Sequence, residues 1–124
     1  MWERRLERLP AVAVGAAERV VVADRTVARL SGLAAMRALP PRTALLIPSC
    51  RSVHTFGMRF ALDLIWLDLD ARVVDVTPSV PPRRVVSRGH ARAVLEAPAG
   101  SGAHFFTALV RAPADRLMPY LRGP

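Results

Sequence analysis

The stretch that decides the fold is LDLIWLDLDARVVDV, residues 62–76. Its first part, 62–69, is an almost continuous apolar run of strand length, which is typical of a strand buried on both faces. A turn is predicted around Asp68–Ala71, and the β-branched residues that follow it predict a returning strand over 71–76. The stretch therefore predicts a largely buried β-hairpin.

Strands are also predicted on both sides of this hairpin, because short β-branched or apolar runs alternate there with proline and glycine. These runs are RVVVAD (19–24), TALLIP (43–48), SVHTFGMRF (52–60, with a possible bulge at Gly57), RRVVS (83–87) and RAVLEA (92–97). One helix is predicted over 26–39, where apolar residues roughly follow a 3.6-residue period before Pro40–Pro41 ends it. The tail at 104–121 is predicted to form an apolar strand followed by a turn or a short helix.

The length of 124 residues and the hydrophobic content of 52% indicate one folded domain with a real core. Residues 1–17 are interpreted as a poorly anchored N-terminal segment, and 18–124 as a single β-rich domain. The single cysteine excludes an internal disulfide and fits a reducing compartment. No apolar run reaches the roughly 18 residues that a membrane span needs. The apolar stretch at 10–17 is short for a secretion signal, so a cytoplasmic location is expected.

The formal net charge of +8 suggests nucleic-acid binding, but its distribution argues against that function. All 18 basic residues are arginine, and the chain also lacks asparagine and glutamine, which indicates a compositional bias. The arginines are scattered, and the aromatic residues that single-strand binders place among basic ones are sparse. Electrostatic binding of nucleic acid is therefore the weakest of three functional interpretations.

Three motifs resemble one known family. They are C-x-S-V-H-T-F-G-M-R-F-x-x-D (50–63), L-D-x-D-x-R-V (67–73) and L-E-x-P-A-G (95–100). Over roughly residues 20–101 the chain is similar to the family called domain of unknown function 192. Ala71 stands where members usually carry glycine, which argues against a two-residue primed turn there because alanine tolerates positive φ poorly.

The resemblance implies a small, β-rich, barrel-like domain that begins with a helix, and it implies no established activity. Together with the strand pattern it gives the expected fold: mainly β (α+β), a small barrel-like or strongly bent antiparallel sheet of about six to seven strands. The one expected helix lies near residues 26–39.

Cys50, His54 and Met58 are spaced like the ligands of a blue-copper loop, but a copper site is not predicted. Such a site needs a second histidine earlier in the chain, and none precedes His54. In an extended strand Cys50 and Met58 would also lie about 26 Å apart. No metal and no cofactor are predicted.

Strand alternation gives a better interpretation of the same residues. It places His54, Phe56 and Met58 on one face, with Phe56 and Met58 in the core and His54 at its margin. Thr55 and Arg59 would then lie on the other face.

Two acidic residues occur in apolar runs, where an unpaired carboxylate is costly. Asp63 needs a partner from another strand or loop. It is either an anchor for loop backbone or a pocket carboxylate with a shifted pKa. Glu96 either bonds the turn at Pro98–Gly100 or converges with Asp63 for acid–base chemistry.

A further candidate feature is a group of four arginines before and at the start of the strand predicted at 92–97. They are Arg83, Arg84, Arg88 and Arg92. Guanidinium groups suit carboxylate or phosphate ligands through bidentate contacts. The alternative is a solvated, charged edge that protects a strand from aggregation.

The leading functional hypothesis is a non-enzymatic binding or accessory domain for a small polar or anionic ligand or a partner protein. Its candidate ligand-binding residues are His54, Thr55, Arg59, Asp63 and Glu96. The alternative is a hydrolase-like enzyme with Cys50 or a water as nucleophile, His54 as base and Asp63 as orienting group. Cys50 is either that reactive thiol or a small buried hydrophobic residue.

Overall fold

A computed structural model of the chain describes residues 8–23, 40–56, 58–111 and 115–122. The helix predicted over 26–39 and the bulge predicted at Gly57 lie outside the described residues. The strands are β1 (Ala11–Val14), β2 (Glu18–Val22), β3 (Thr43–Pro48), β4 (Ser52–His54), β5 (Leu62–Leu67), β6 (Val73–Val80), β7 (Val85–Ser87) and β8 (Ala93–Pro98). The helices are α1 (Gly102–Arg111) and α2 (Met118–Arg122).

Six strands form one sheet in the order β1-β2-β3-β8-β5-β6, and β4 and β7 form a separate two-stranded sheet. The mainly β fold class is confirmed, as is the hairpin, in which β5 pairs antiparallel with β6. The barrel-like alternative is wrong for the described strands, because β1 and β6 end the strand order and the sheet stays open. The sheet is also mixed, since β2 and β3 run parallel. The long connection between these two strands allows the crossover that a parallel pair needs.

The two faces of the six-stranded sheet carry separate hydrophobic clusters. On one face Val53 and Met58 pack against Leu45, Leu64 and other sheet residues, with Val86 of β7 against this cluster. We call this side the β4–β7 face. On the other, Phe105 and Leu109 of α1 and Leu121 of α2 pack against the sheet. We call that side the helix face.

The alternation predicted for 52–60 is wrong beyond His54. Strand β4 ends at His54, and the amide of Met58 donates a hydrogen bond of 3.2 Å to the carbonyl of Thr55. This turn changes the side-chain parity, so Phe56 is 55% exposed whereas Val53 and Met58 are buried. Phe56 is therefore a surface residue and not part of the core.

The tail was predicted to begin with an apolar strand, and this prediction is wrong. Residues Gly102–Arg111 form α1, in which Phe105, Ala108 and Leu109 are buried. Their spacing of three and four residues is that of one helix face. The adjacent phenylalanines at 105 and 106 imitate the apolar run of a strand, but Phe106 points outward and is 43% exposed.

The predicted N-terminal boundary is corrected in part by the pairing of β1. Residues Ala11–Val14 pair antiparallel with β2, so they belong to the sheet and not to a poorly anchored segment. Residues 1–7 lie outside the described part of the chain. None of the helices in the described ranges is both long and apolar enough to cross a membrane.

Candidate functional site

Asp63 lies on β5, is buried and accepts three backbone hydrogen bonds. Its Oδ1 accepts from the amide of Ser79 at 2.8 Å. Its Oδ2 accepts from the amides of Gly100 and Gly102, each at 2.9 Å. The carboxylate thus joins β6, the loop after β8 and the first turn of α1. The backbone-anchor interpretation describes this arrangement, and a role for Asp63 in ligand binding stays a prediction.

The close approach of Gly102 to Asp63 predicts the effect of adding a methyl group there. A Cβ at Gly102 would lie 2.8 Å from both Cβ and Oδ2 of Asp63, whereas a Cβ at Gly89 meets nothing within 4 Å. Because three hydrogen bonds hold Asp63 in place, we expect Gly102→Ala to lower the free energy of unfolding by about 2–3 kcal/mol. The matched Gly89→Ala should change it by less than about 0.5 kcal/mol. Urea denaturation of both variants measures the difference, and equal effects would contradict the tight contact.

Thr55 and Arg59, the neighbours of His54 in the motif, differ in their surroundings. Thr55 is fully buried, and its Oγ1 donates to the carbonyl of Pro81 at 2.7 Å and accepts from the amide of Arg84 at 2.8 Å. It therefore ties the segment after β4 to the loop before β7. The side chain of Arg59 is exposed. Their proposed roles in ligand binding stay predictions.

Glu96 lies on β8, the strand between β3 and β5, and projects onto the β4–β7 face. It stands opposite Leu45 on one neighbouring strand and Leu64 on the other. The residue is 2% exposed, and no described residue provides a hydrogen-bond partner for its Oε2. Burial raises the pKa of the Glu96 carboxyl to about 8, so it is protonated at neutral pH.

A cavity of about 160 Å³ adjoins this carboxyl. We call it the Glu96 cavity, and its lining residues are Ile47, Pro48, Ser49, Cys50, Ser52, Val53, His54 and Glu96. Cys50 is partly buried there, and its thiol donates to the carbonyl of Ser52 at 3.1 Å. Burial raises the pKa of the Cys50 thiol, and the nearby Glu96 carboxyl raises it further. Among the residues described, no group of three or more His, Cys, Asp or Glu side chains is arranged to hold a metal ion.

The sheet separates the two acidic candidates. Asp63 pairs with Ala97, whereas Glu96 pairs with Leu64. Since successive strand residues point to opposite faces, Asp63 lies on the helix face and Glu96 on the β4–β7 face. The structure therefore does not bring them together as an acid–base pair. It is Asp63, not Glu96, that bonds the turn at Pro98–Gly100.

The sheet also separates the three residues of the predicted hydrolase-like site. Cys50 and His54 line the Glu96 cavity, which Asp63 does not reach because it lies on the other side of the sheet. Of the five predicted ligand-binding residues, the structure places His54 and Glu96 at one cavity. The sequence reasoning considered Cys50 for its thiol, but it did not connect this residue with Glu96.

A second, more open cavity of about 580 Å³ adjoins the first, and we call it the outer pocket. Its lining residues are Ser49, Cys50, Arg51, Ser52, Leu69, Arg92 and Leu121. The amide of Cys50 donates to the carbonyl of Arg92 at 3.2 Å, which holds the loop after β3 beside the loop before β8. Arg51 and Arg92 are distant in sequence, so only the fold reveals that they line one pocket.

Comparison with known proteins gives a family and no activity. A family model described as "Uncharacterized ACR" (DUF192) matches residues 11–107. The UPF0127 protein of Thermococcus sibiricus is 33% identical over 86 residues, which are 66% of this chain and 56% of the relative. The UPF0127 protein PH1112 of Pyrococcus horikoshii is 43% identical over 49 residues, which are 40% of this chain and 43% of the relative. The chain thus spans about half the length of these curated relatives.

Two crystal structures share the fold. A protein of unknown function from Novosphingobium aromaticivorans aligns with a TM-score of 0.60 at 22% identity, over 77% of this chain and 76% of that one. A protein from Sinorhizobium meliloti, described as a proposed transcription regulator, aligns with a TM-score of 0.62 at 19% identity, over 71% and 74% of the two chains. At these identities the likeness concerns the fold alone. The family match covers most of the chain and agrees with the motifs around His54 and Glu96, and the protein therefore belongs to the DUF192 (UPF0127) family.

Proposed function

We propose that this protein is a ligand-binding domain and that the Glu96 cavity is its binding site. The observation that supports the proposal is the buried Oε2 of Glu96, which has no hydrogen-bond partner among the described residues. Leaving a buried polar atom unpaired costs about 1–3 kcal/mol. A ligand that supplies the missing partner would recover that free energy on binding.

The size of the cavity favours a small molecule over a segment of a partner protein. A volume of about 160 Å³ accommodates a group of roughly the size of a benzene ring. His54 is exposed and also lines this cavity. The ligand-binding part of the proposal therefore includes Glu96 and His54. We also propose a cytoplasmic location, which was predicted from the single cysteine and from the short apolar stretch at 10–17.

Binding is preferred to the hydrolase-like alternative because of the state of the thiol. A nucleophilic cysteine needs a lowered pKa or an adjacent base that a third group orients. Burial raises the pKa of Cys50 instead, and its thiol donates to a backbone carbonyl. Asp63, the predicted orienting group, is occupied by three backbone amides on the other face of the sheet.

Native mass spectrometry tests the proposal on the untagged protein after incubation with a total small-metabolite extract. We expect a stoichiometric small-molecule adduct on the wild type and on Asp68→Asn, whose carboxylate lies in an exposed turn. Glu96→Leu should lose the adduct, because leucine supplies no hydrogen bond. This loss would not reflect unfolding, since replacing a buried unpaired polar group by an apolar one is neutral or stabilising.

Two results would contradict the proposal. One is a wild-type protein that shows no adduct after this incubation. The other is an adduct that Glu96→Leu retains at wild-type occupancy, which would place the ligand elsewhere on the chain.

A further inference from the structure

The Glu96 cavity and the outer pocket are neighbouring cavities. They share Ser49, Cys50 and Ser52 as lining residues. Glu96 lines the Glu96 cavity, and Arg51 and Arg92 line the outer pocket. A ligand that occupied both cavities would therefore meet two arginine residues in the outer one.

These two arginines are not engaged by carboxylates in the described part of the chain. The ion pairs described there join Arg42 to Glu18, Arg88 to Asp75 and Arg122 to Asp70. Arg92 donates from Nη1 to the carbonyl of Ala91, its own neighbour, at 3.3 Å. Among the described residues its guanidinium group has no other hydrogen-bond partner, so its remaining donors could serve a ligand in the outer pocket.

We propose that the ligand is a small organic anion, whose carboxylate or phosphate group contacts Arg51 and Arg92 while a hydrogen-bond acceptor at its other end reaches Glu96. This inference rests on the proposed function and names the chemical class of its ligand. Guanidinium groups present paired N–H donors that match the oxygens of carboxylates and phosphates. The serine hydroxyls at positions 49 and 52 add neutral donors between the two ends.

An anion is compatible with the acidic residue at the base of the cavity because Glu96 is protonated at neutral pH. Burial raises the pKa of this carboxyl to about 8, so it offers an O–H donor where an ionised carboxylate would repel the ligand. A cationic ligand would instead be repelled by the two arginines that line the outer pocket. The net charge of +8 attracts anions over longer distances as well.

The pH dependence of binding follows from the same proton. As pH rises from 7 to 9, Glu96 loses the proton that it donates, so affinity for the anion should fall roughly tenfold. Cys50 and His54 are the other titratable residues that line the Glu96 cavity, and the strand neighbours Leu45 and Leu64 are apolar. Glu96→Gln should remove most of the pH dependence, and His54→Gln, measured in parallel, isolates the contribution of the imidazole.

Four matched probes test the inference by NMR titration of the full chain. Two are anions, 4-acetamidobutanoate and 3-acetamidopropyl phosphate, which distinguish a carboxylate from a phosphate. The third is the cation N-(4-aminobutyl)acetamide, and the fourth is the neutral N-butylacetamide. We expect saturable amide shifts at Cys50 and Val53 with at least one anion at pH 7. Arg51→Gln and Arg92→Gln should each weaken binding about tenfold, and Arg84→Gln, which removes the same charge from an exposed site that lines neither cavity, by less than twofold.

Three outcomes would overturn the inference. The cation could bind more tightly than both anions, in which case the proposed binding function would stand and only the ligand class would be wrong. Arg84→Gln could weaken binding as much as Arg92→Gln, which would show general attraction to a basic surface. Finally, all four probes could fail to shift the amide signals of the cavity residues, which would overturn the inferred ligand class. The native mass spectrometry experiment would still test the proposed binding function independently.

Discussion

Glu96→Gln should make the stability of the protein nearly independent of pH between about 4.5 and 8, whereas the wild type should lose stability over that range. The pKa of the Glu96 carboxyl is raised by burial from its ordinary value of 4.5 to about 8. Below pH 4.5 the carboxyl is protonated in both the folded and the unfolded chain. Between the two values unfolding releases a proton, so the free energy of unfolding falls by up to about 1.4 kcal/mol per pH unit. Above about pH 8 this loss is complete.

The expected loss amounts to several kcal/mol, a large part of the roughly 5–15 kcal/mol that stabilises a typical domain. Urea denaturation at half-unit pH steps measures it as the difference between the wild type and Glu96→Gln. Asp75→Asn is the control, because a hydrogen bond from Arg88 lowers the pKa of that exposed carboxyl from 3.8, so its contribution to stability should not change between about pH 4.5 and 8. Parallel wild-type and Glu96→Gln curves would show that Glu96 ionises in the folded protein as it does in the unfolded chain.

Asp63→Asn should lower the free energy of unfolding by roughly 3–5 kcal/mol, although it preserves the size of the side chain. The amide keeps one acceptor oxygen but replaces the other with an NH₂ group, which is a donor. At least one of the three amides that Asp63 now satisfies would then face another donor in a buried site. We expect the contact between β6 and the start of α1 to loosen as a result.

Asp68→Asn is the matched control, because Asp68 also accepts two backbone amides, those of Asp70 and Arg72, but in an exposed turn. Both amides bond the same Oδ1, which the asparagine carbonyl can replace, and water solvates the turn, so the expected cost is below about 1 kcal/mol. Urea denaturation of both variants at one pH gives the comparison. Equal decreases in the free energy of unfolding would mean that the Asp63 carboxylate is not a structural anchor. Such a result would favour its predicted role in ligand binding.

The strands were predictable wherever an apolar run of strand length was followed by a residue typical of turns. The hairpin at 62–76 and the strands at 43–48 and 92–97 were found because apolar runs of strand length end there at proline, glycine or aspartate. The helix α1 was missed because its two adjacent phenylalanines resemble a strand, and β1 because an alanine-rich run has little strand propensity. The parallel pairing of β2 with β3 depends on contacts across a long connection, which local pattern does not specify.

The sequence identified residues of the candidate site, but it could not predict how they are arranged in space. Glu96 and Asp63 were identified because a carboxylate in an apolar run needs an explanation. Which face each one occupies depends on the register between β5 and β8, and a shift of one residue would exchange the faces. The pairing of Arg51 with Arg92 in one pocket depends on two loops that meet only after the sheet has formed.

The position of β8 in the sheet has a consequence for synthesis on the ribosome. Strands β3 and β5 are not hydrogen-bonded to each other, and β8, which comes later in the chain than either, lies between them. Until residue 98 has left the exit tunnel, β8 cannot join β3 to β5, so any sheet formed before then would consist of two separate parts with open edges. Such exposed edges invite association with other chains. The described strands can therefore complete their sheet only after β8 has emerged from the ribosome, and the edges of β3 and β5 stay unpaired by β8 until then.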